Sequence, residues 1–234
     1  MRKIDIIIPV YKPDQKFLAL VDKLEHQTVA VNKIIIMNTE RQYFDRLVKG
    51  TSFFEKYRNV CVINLKKEDF DHGLTRRQGV EQSDAQVFVM MTMDAMPVEE
   101  DLVEKLTAPL EREDVAVSYG RQMAGKNSGE IERYTRKFNY PGKGCEKSAK
   151  DVEKLGIKAF FCSNVCAAYR RDIYDRLGGF VSRTIFNEDM IYAAGAIKAG
   201  YKIVYPADAK VVHCDNYTYR QQLRRNFDLG FSQA

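Results

Sequence analysis

A chain of 234 residues is long enough to bury a substantial hydrophobic core, and a composition of 45% hydrophobic and 29% charged residues excludes a generally disordered chain. The formal charge is only +5, and the basic residues are scattered among nearly as many acids, so no polybasic block predicts nucleic-acid binding. Five cysteines without a CxxC pair argue against a disulfide framework or a zinc ribbon, and we expect a reducing, cytoplasmic location.

The first half of the sequence alternates short β-branched runs with amphipathic helical patterns. Such alternation is typical of βαβ units that build a parallel sheet with helices on its faces. The predicted strands are 4–10, 33–37, 60–65, 87–91 and 115–119. Apolar residues at helical spacing predict helices near 17–24, near 44–48 and over about 99–110.

The second half has a different character. Residues 123–150 are polar, contain several glycines and show no periodicity, which predicts a long irregular segment of the kind that lines binding sites. An apolar stretch at 160–169 follows, in which Cys162 and Cys166 are expected to be core residues. Further along, the pattern predicts a helix start at Asp172, a turn at 178–180, a helix over 188–198 and strands at 202–205 and 211–213.

The last segment, from about residue 217, predicts a helix with an apolar stripe beside a basic cluster. The stripe is formed by Leu223, Phe227 and Phe231, and the cluster by Arg220, Arg224 and Arg225. Such a helix suits a membrane surface or a partner, so peripheral contact with the inner face of the plasma membrane is expected here. The stripe still runs at the final residues, and we expect the natural chain to continue. No apolar stretch approaches the length of a membrane-spanning helix.

Polar residues follow the predicted strands, where open parallel sheets bind their ligands. Asp94 ends a very apolar run, where a carboxylate is costly unless it is exposed or paired with a cation. The alternative for Asp94 is a helix N-cap. Neither a GxGxxG nor a GxxxxGK[ST] sequence is present, which argues against dinucleotide and P-loop sites.

Several segments resemble, in order, those of family 2 glycosyltransferases: IIIPVY at 6–11, MTMDAMP at 91–97, CSNVCAAYRR at 162–171 and NEDM at 187–190. The sequence FDHGLTR at 70–76 is similar to the F-x-H-G-x-T-R stretch of bacterial rhamnosyltransferases in that family. The resemblance covers nearly the whole chain. It implies a GT-A fold, an α/β fold with a mostly parallel central sheet flanked by helices. One domain is expected over 1–234, with a nucleotide-binding half at about 1–120 and an acceptor-side half at about 121–216.

The resemblance also implies roles for individual residues. Asp94 takes the place of the metal-binding aspartate in a DxD-like motif, His213 that of a later metal ligand, and Asp189 that of the catalytic base. The implied nucleotide-sugar contacts are Pro9, Tyr11, Asn38, His72, Arg76, Thr92, Asp94 and Glu188. Simpler interpretations stay open: a turn hydrogen bond for His72, an exposed helix charge for Arg76, and helix-start amides for the pair Glu188 and Asp189.

Two departures from the family pattern affect the predicted site. The DxD-like motif has a single acid, Asp94, so we expect weak metal affinity in the empty enzyme. Asn38 stands where relatives usually carry an acid that contacts the base, which leaves the choice between uridine and thymidine open.

The predicted reaction is an inverting sugar transfer. A divalent ion, Mn²⁺ or Mg²⁺, held by Asp94, His213 and two phosphate oxygens would stabilise the leaving group, and Asp189 would deprotonate the acceptor hydroxyl. The first choice of donor is dTDP-rhamnose and the second a UDP-hexose, with a polysaccharide or lipid-linked saccharide as acceptor. The alternatives are a glycoside hydrolase, which needs two acids and no nucleotide, and a non-catalytic module that binds polyanions or a membrane surface.

Overall fold

Strands and helices alternate along the chain in the computed structural model, which describes residues 2–184, 186–214 and 217–231. The strands are β1 (Ile4–Tyr11), β2 (Lys33–Thr39), β3 (Val60–Leu65), β4 (Val87–Met91), β5 (Met96–Pro97), β6 (Val115–Tyr119), β7 (Arg121–Met123), β8 (Cys145–Lys147), β9 (Cys166–Arg170), β10 (Lys202–Tyr205) and β11 (Lys210–Val212). The α-helices are α1 (Gln15–Glu25), α2 (Arg41–Val48), α3 (Phe53–Lys56), α4 (His72–Glu81), α5 (Leu102–Thr107), α6 (Glu130–Asn139), α7 (Val152–Leu155), α8 (Arg171–Arg176), α9 (Glu188–Lys198) and α10 (Tyr219–Phe231). Short 3₁₀ turns occupy Lys67–Asp69, Ala108–Glu111, Ala149–Asp151 and Gly156–Phe160.

The central sheet has eight strands in the described part of the chain, in the order β3-β2-β1-β4-β9-β6-β10-β8. β1 pairs in parallel with β2 and β4, β2 pairs in parallel with β3, and β6 pairs in parallel with β10. β9 runs antiparallel between β4 and β6, and β8 is antiparallel to β10. A smaller sheet joins β5, β11 and β7. The predicted α/β architecture with a mostly parallel central sheet is therefore confirmed.

Both faces of β1 are buried, which explains its nearly unbroken apolar sequence. Successive side chains of a strand point to opposite faces. Ile6 and Ile8 belong to one core cluster together with Phe17 of α1. Ile7 belongs to a second cluster with Phe88 of β4. A strand between two cores loses the alternation of apolar and polar residues, and this is why the sequence reveals it as a continuous run.

A charged residue, Asp5, lies inside β1 and is fully buried. Asn32 Nδ2 donates a hydrogen bond to Asp5 Oδ1, and Ser83 Oγ donates one to Oδ2, both at 2.7 Å. Hydrogen bonds of this kind offset the cost of removing a carboxylate from water. Asp5 therefore interrupts the apolar run of β1 without opening the sheet.

Residues 123–150 correct the sequence prediction, since they do not form one irregular segment. They contain the whole of α6 and β8, and β7 ends at Met123. α6 has no buried residue. Its apolar residues Ile131, Tyr134 and Phe138 do recur at helical spacing, but they are exposed and this short stripe was not recognised in the sequence.

The region after β4 decides against the N-cap alternative for Asp94. The helix predicted over 99–110 begins only at Leu102, its N-cap is Asp101, and the chain passes to a 3₁₀ turn at Ala108–Glu111. The short strand β5 separates Asp94 from this helix. The last strand is also shifted by one residue from the predicted 211–213 to Lys210–Val212.

All five cysteines are free thiols, and Cys162 and Cys166 are buried core residues as predicted. The C-terminal helix α10 presents exposed side chains at the spacing of the predicted stripe: Tyr219, Leu223, Phe227 and Phe231. Over 2–184, 186–214 and 217–231, every helix is too short or too polar to cross a bilayer.

Candidate active site

A cleft of about 1210 Å³ opens at the carboxyl ends of β1 and β4. Ten residues are predicted from the sequence to form the site, and nine of them line this cleft: Pro9, Tyr11, His72, Arg76, Thr92, Asp94, Glu188, Asp189 and His213. They come from both halves of the chain. The fold therefore gathers them at the edge of the sheet where parallel α/β folds bind ligands.

Asp94 and His213 face each other in this cleft. Asp94 lies in a turn after β4 that is closed where Ala95 N donates to the carbonyl oxygen of Thr92. Nε2 of His213 lies 3.3 Å from Oδ1 of Asp94. Burial raises the pKa of Asp94, but the hydrogen bond and charge of His213, with help from Thr92, outweigh this effect and lower the pKa below its ordinary value. Asp94 is thus ionised at neutral pH, in the form that binds cations.

The far side of the His213 ring contacts two residues that the sequence analysis missed. Nδ1 of His213 lies 2.8 Å from Nη2 of Arg136 and 3.2 Å from Oε1 of Gln122. Arg136 Nη1 also donates to Gln122 Oε1 at 2.6 Å. Arg136 belongs to α6, which was not predicted, so its position beside His213 was not predicted either. Together the two residues fix the orientation of the imidazole.

The donor set of Asp94 and His213 fits a divalent cation. A carboxylate oxygen suits Mg²⁺ and Mn²⁺, and an imidazole nitrogen favours Mn²⁺. Among the described residues, no cluster of three or more His, Cys, Asp or Glu side chains is present to hold a metal. Asp94 and His213 would thus offer a cation two ligands, and the oxygens of a diphosphate are suited to supply others.

Asp189 lies in the first turn of α9, on the cleft wall. Its Oδ2 accepts a hydrogen bond from Asn164 N at 2.9 Å, and its Oδ1 accepts one from Met190 N at 2.8 Å. Burial, followed by the charge of Glu188, raises the pKa of Asp189 to about 7. A carboxylate in this range is suited to take a proton from a substrate hydroxyl near neutral pH.

Glu188, next to Asp189, is held by two partners. Asn164 Nδ2 donates to Glu188 Oε1 at 3.0 Å, and Arg76 Nε lies 3.3 Å from the same oxygen. The hydroxyl of Tyr169 donates to Asn164 Oδ1 at 2.7 Å and fixes that amide. Asn164 therefore contacts both acids. Asn164 lies within the family-like segment at 162–171, but no role was predicted for it from the sequence.

His72 and Arg76 lie close together at the start of α4. The His72 ring contacts the rings of Phe70 and Phe186, with centroids 5.1 and 5.4 Å away. Burial, followed by the charge of Arg76, lowers the pKa of His72 below its ordinary value. Arg76 is only 7% exposed, so it is not an ordinary surface charge.

Tyr11 stands at the end of β1 beside two residues that were not predicted, Lys12 and Tyr43. The Tyr11 and Tyr43 rings meet edge to face with centroids 5.7 Å apart. Nζ of Lys12 lies 5.0 and 5.2 Å from the two ring centres. Lys12 has a φ of +52°, which is uncommon for a residue other than glycine. Of these three residues, Tyr11 lines the cleft, and Lys12 and Tyr43 hold its ring from the side.

Asn38 is the predicted site residue that does not line the cleft. Its side chain is fully buried at the end of β2, where Nδ2 donates to Asn64 Oδ1 of β3 at 2.7 Å. An amide can donate to the facing amide oxygen, whereas an acid at this position could not when ionised. Asn38 thus joins β2 to β3 through its side chain.

The sequence model described as glycosyl transferase family 2 matches residues 5–178 of this chain. Over 233 residues, 99% of the chain, the protein is 37% identical to the O-antigen chain rhamnosyltransferase RfbN of Salmonella typhimurium, and it spans 73% of that relative. The chain belongs to glycosyl transferase family 2. A second rhamnosyltransferase, the O-antigen chain enzyme WbaN of Salmonella anatum, is 34% identical over 236 residues, and this family 2 chain again spans 73% of it.

Solved structures show that this family 2 protein has the GT-A fold. The mannosyltransferase PcManGT from Pyrobaculum calidifontis, in complex with GDP-Man and Mn²⁺, matches with a TM-score of 0.70 at 14% identity, over 97% of this chain and 62% of that chain. TarS 1–349 of S. aureus, in complex with UDP-GlcNAc, matches with a TM-score of 0.68 at 14% identity, over 94% of this chain and 60% of that chain. The predicted fold is confirmed.

Membership of family 2 decides between the functional alternatives. The protein is a glycosyltransferase that uses a nucleotide sugar, and the glycoside hydrolase and non-catalytic alternatives lose their support. The resemblance to bacterial rhamnosyltransferases is also confirmed by relatives that match over the full chain.

Proposed function

We propose that this enzyme transfers rhamnose from dTDP-rhamnose to a saccharide acceptor, with inversion at the anomeric carbon and with Asp189 as the general base. The observation that carries this proposal is that the Asp94 and His213 pair and the Asp189 carboxylate line the same cleft. The choice of rhamnose is supported by two relatives that are named rhamnosyltransferases. A UDP-hexose is the second choice of donor.

Asp94 and His213 would hold Mn²⁺ or Mg²⁺ against the diphosphate of the donor. The bound cation supplies positive charge to a leaving group that gains negative charge. Arg136 and Gln122 support this arrangement by fixing the His213 ring from behind. Tyr11, Thr92 and the neighbouring Pro9 form the wall suited to the nucleotide.

Asp189 would accept the proton of the acceptor hydroxyl. The acceptor oxygen forms a bond to the anomeric carbon, the bond from that carbon to the diphosphate oxygen breaks, and the proton passes to the carboxylate. Each carboxylate oxygen accepts one backbone hydrogen bond, from Asn164 N or from Met190 N, and has a second lone pair that can take the proton. A single direct displacement inverts the configuration of the sugar.

The pH dependence of kcat/KM should follow the ionisation of Asp189. Burial raises its pKa to about 7. Because the protonated carboxyl cannot accept a proton, kcat/KM is expected to rise roughly tenfold per pH unit below that value and to level off above it. Initial rates between about pH 5 and about pH 9 measure this profile. A profile that is flat through neutral pH would remove Asp189 from the base role.

The two halves of the chain are proposed to divide the substrates between them. Residues up to about 120 carry Asp94 and the Tyr11 group and would bind the donor, while residues 121–216 carry Asp189 and would bind the acceptor. α6, which lines the cleft with Glu132, Arg136 and Asn139, stands on the proposed acceptor side. The acceptor is proposed to be a polysaccharide or a lipid-linked saccharide.

α10 is proposed to bring the enzyme to the cytoplasmic face of a membrane that carries the acceptor. Its exposed stripe ends in Phe227 and Phe231, and Arg220 and Arg224 are exposed beside it. Reversing both charges to glutamate should weaken binding to vesicles with anionic phosphatidylglycerol by at least about tenfold in a flotation assay. The matched control reverses Arg41 and Arg46, exposed arginines of α2. Equal losses in both double variants would show that the effect comes from net charge and not from α10.

The proposed reaction is tested by incubating the enzyme with a lipid-linked saccharide acceptor, Mn²⁺ and either dTDP-rhamnose or UDP-glucose, and measuring the release of nucleoside diphosphate that depends on the acceptor. We expect release from dTDP-rhamnose that stops when EDTA removes the metal. A parallel incubation with p-nitrophenyl rhamnoside and no nucleotide sugar should release no nitrophenol. Faster release from UDP-glucose would replace the rhamnose donor by the second choice, and nitrophenol release would point to a hydrolase.

A further inference from the structure

The segment Phe70–Arg76, which begins α4, packs against the residues that lead into α9. Asp71 Oδ2 accepts a hydrogen bond from Arg183 N at 3.1 Å, and the His72 ring contacts Phe186. Arg76 pairs with Glu188. The contacts of this segment therefore reach from the loop before α9 to the residue next to Asp189.

Gly73 allows this close approach. A Cβ atom at Gly73 would lie 1.7 Å from the carbonyl oxygen of Val181, so any side chain here would push the two segments apart. The turn before α4 is also rigid, since Asp71 Oδ1 accepts from Leu74 N at 2.7 Å and Asp71 N donates to Thr75 Oγ1 at 3.3 Å. Asp71, Gly73 and Arg76 thus each contact α9 or the loop that leads into it.

The ion pair between Arg76 and Glu188 is buried on both sides. The two side chains are 8% and 6% exposed, and Arg76 Nη1 also donates to the carbonyl oxygen of His72 at 2.8 Å. A buried charge that loses its partner is strongly destabilising, so each member of such a pair holds the other in place. Glu188 has Asn164 as its second fixed partner.

We propose that Phe70–Arg76 is a positioning element for the catalytic base, in which Arg76 acts on Asp189 through Glu188 instead of contacting the donor diphosphate. This inference rests on the proposed role of Asp189. It assigns the segment to the acceptor chemistry, although the segment lies in the donor half of the chain.

The charged groups around Asp189 explain how Arg76 reaches it. Glu188 of α9 raises the pKa of Asp189, and Arg76 of α4 lowers it. The other titratable groups that face Asp189 are Tyr140 at the end of α6, Tyr169 of β9 and Cys162. Burial raises the pKa of each of them, for Cys162 to about 12, so they are uncharged at neutral pH.

Two further charged groups face residues near Asp189 and not Asp189 itself. Arg136 of α6 faces Tyr140, and Arg225 of α10 faces His72. Burial and then the charge of Arg76 lower the pKa of His72, which keeps this imidazole neutral near pH 7. Burial is the largest cause of the raised pKa of Asp189, and of the charges that act on this carboxyl Glu188 raises the pKa while Arg76 lowers it.

The test measures the pKa of Asp189 directly, by NMR titration of the whole protein labelled with ¹³C at the aspartate carboxyl carbons. Asp189→Asn assigns the signal. Glu188→Gln should lower the pKa by roughly one pH unit, Arg76→Met should raise it by roughly one, and the double variant should return it close to the wild-type value. The matched control is Arg77→Met, which removes the neighbouring arginine that is about half exposed and paired with Glu81.

Arg76→Lys provides a second variant in case Arg76→Met does not fold, since it keeps the charge but loses the planar guanidinium. It should lower kcat several-fold with KM nearly unchanged, and leave the pKa of Asp189 close to wild type. If neither Glu188→Gln nor the Arg76 variants move the pKa or kcat beyond the Arg77→Met control, the proposal is overturned. Failure of the proposed function would look different. In that case Asp189→Asn would keep its turnover, while the Glu188 and Arg76 variants would still shift the pKa of Asp189.

Discussion

Asp189→Asn is expected to lower kcat by about 10²–10⁴-fold, the usual contribution of a positioned general base. Asparagine keeps the size of the side chain and can still accept from Asn164 N through its amide oxygen. It cannot take the acceptor proton, because its amide has no basic oxygen at neutral pH. Donor binding should stay within a few-fold of wild type, since the Asp94 and His213 pair is untouched. Single-turnover transfer and calorimetric titration with dTDP measure the two quantities.

The control for this variant is Asp208→Asn, an exposed aspartate outside the cleft. Its kcat should match wild type. The pH profile gives a second check, since the rise through about pH 7 that is assigned to Asp189 should disappear from any residual activity. A variant that keeps more than about a tenth of wild-type kcat would show that another group, or water, accepts the proton.

Asp94→Ala is expected to abolish the metal dependence of nucleotide binding. In wild type, Mn²⁺ should tighten the binding of dTDP, and in the variant dTDP should bind with the same weak affinity whether Mn²⁺ is present or absent. We expect a loss of roughly 100-fold in the presence of metal, because a bridging cation contributes several kcal/mol to holding phosphate charge. Titrations of dTDP and of UDP, each with and without Mn²⁺, also identify the preferred base.

His213→Ala separates the two members of the pair. If both residues hold the cation, this variant loses the same metal dependence, although the Asp94 carboxylate is then without its imidazole partner. Asp208→Ala again serves as a control. Unchanged metal dependence in Asp94→Ala would contradict the assignment of the cation to this pair. Unchanged metal dependence in His213→Ala alone would leave Asp94 as the protein ligand.

The strands and the general location of the site could be predicted because they depend on local sequence and on one topological rule. β1 and β4 are apolar runs buried on both faces. Asp94 follows β4 and Tyr11 ends β1, so the rule that ligands bind at the carboxyl edge was enough to place them in one cleft. His213 and Asp189 were placed by resemblance, since neither follows a predicted parallel strand of the first half.

The residues that were missed act through contacts between distant parts of the chain. Asn164 binds two acids more than twenty positions later in the chain, and no pattern near residue 164 announces this. Arg136 was missed because its helix, whose apolar stripe is exposed, was predicted as part of an irregular segment. Asn38 lies at a strand end as predicted, but its side chain donates to Asn64, a contact that its own position in the sequence does not reveal. Strand ends can be read from sequence, whereas the direction of a polar side chain depends on its neighbours in space.

The buried pair of Arg76 and Glu188 has a consequence for engineering this enzyme. Donor specificity could be exchanged by joining the first part of one family 2 enzyme to the second part of another. If the junction falls between residues 76 and 188, Arg76 and Glu188 come from different parents. A hybrid that inherits only one of the two keeps an unpaired charge in its interior, at a cost of about 3–5 kcal/mol. A functional chimera of this chain should therefore contain both the arginine and the glutamate, or have both replaced, wherever the junction lies.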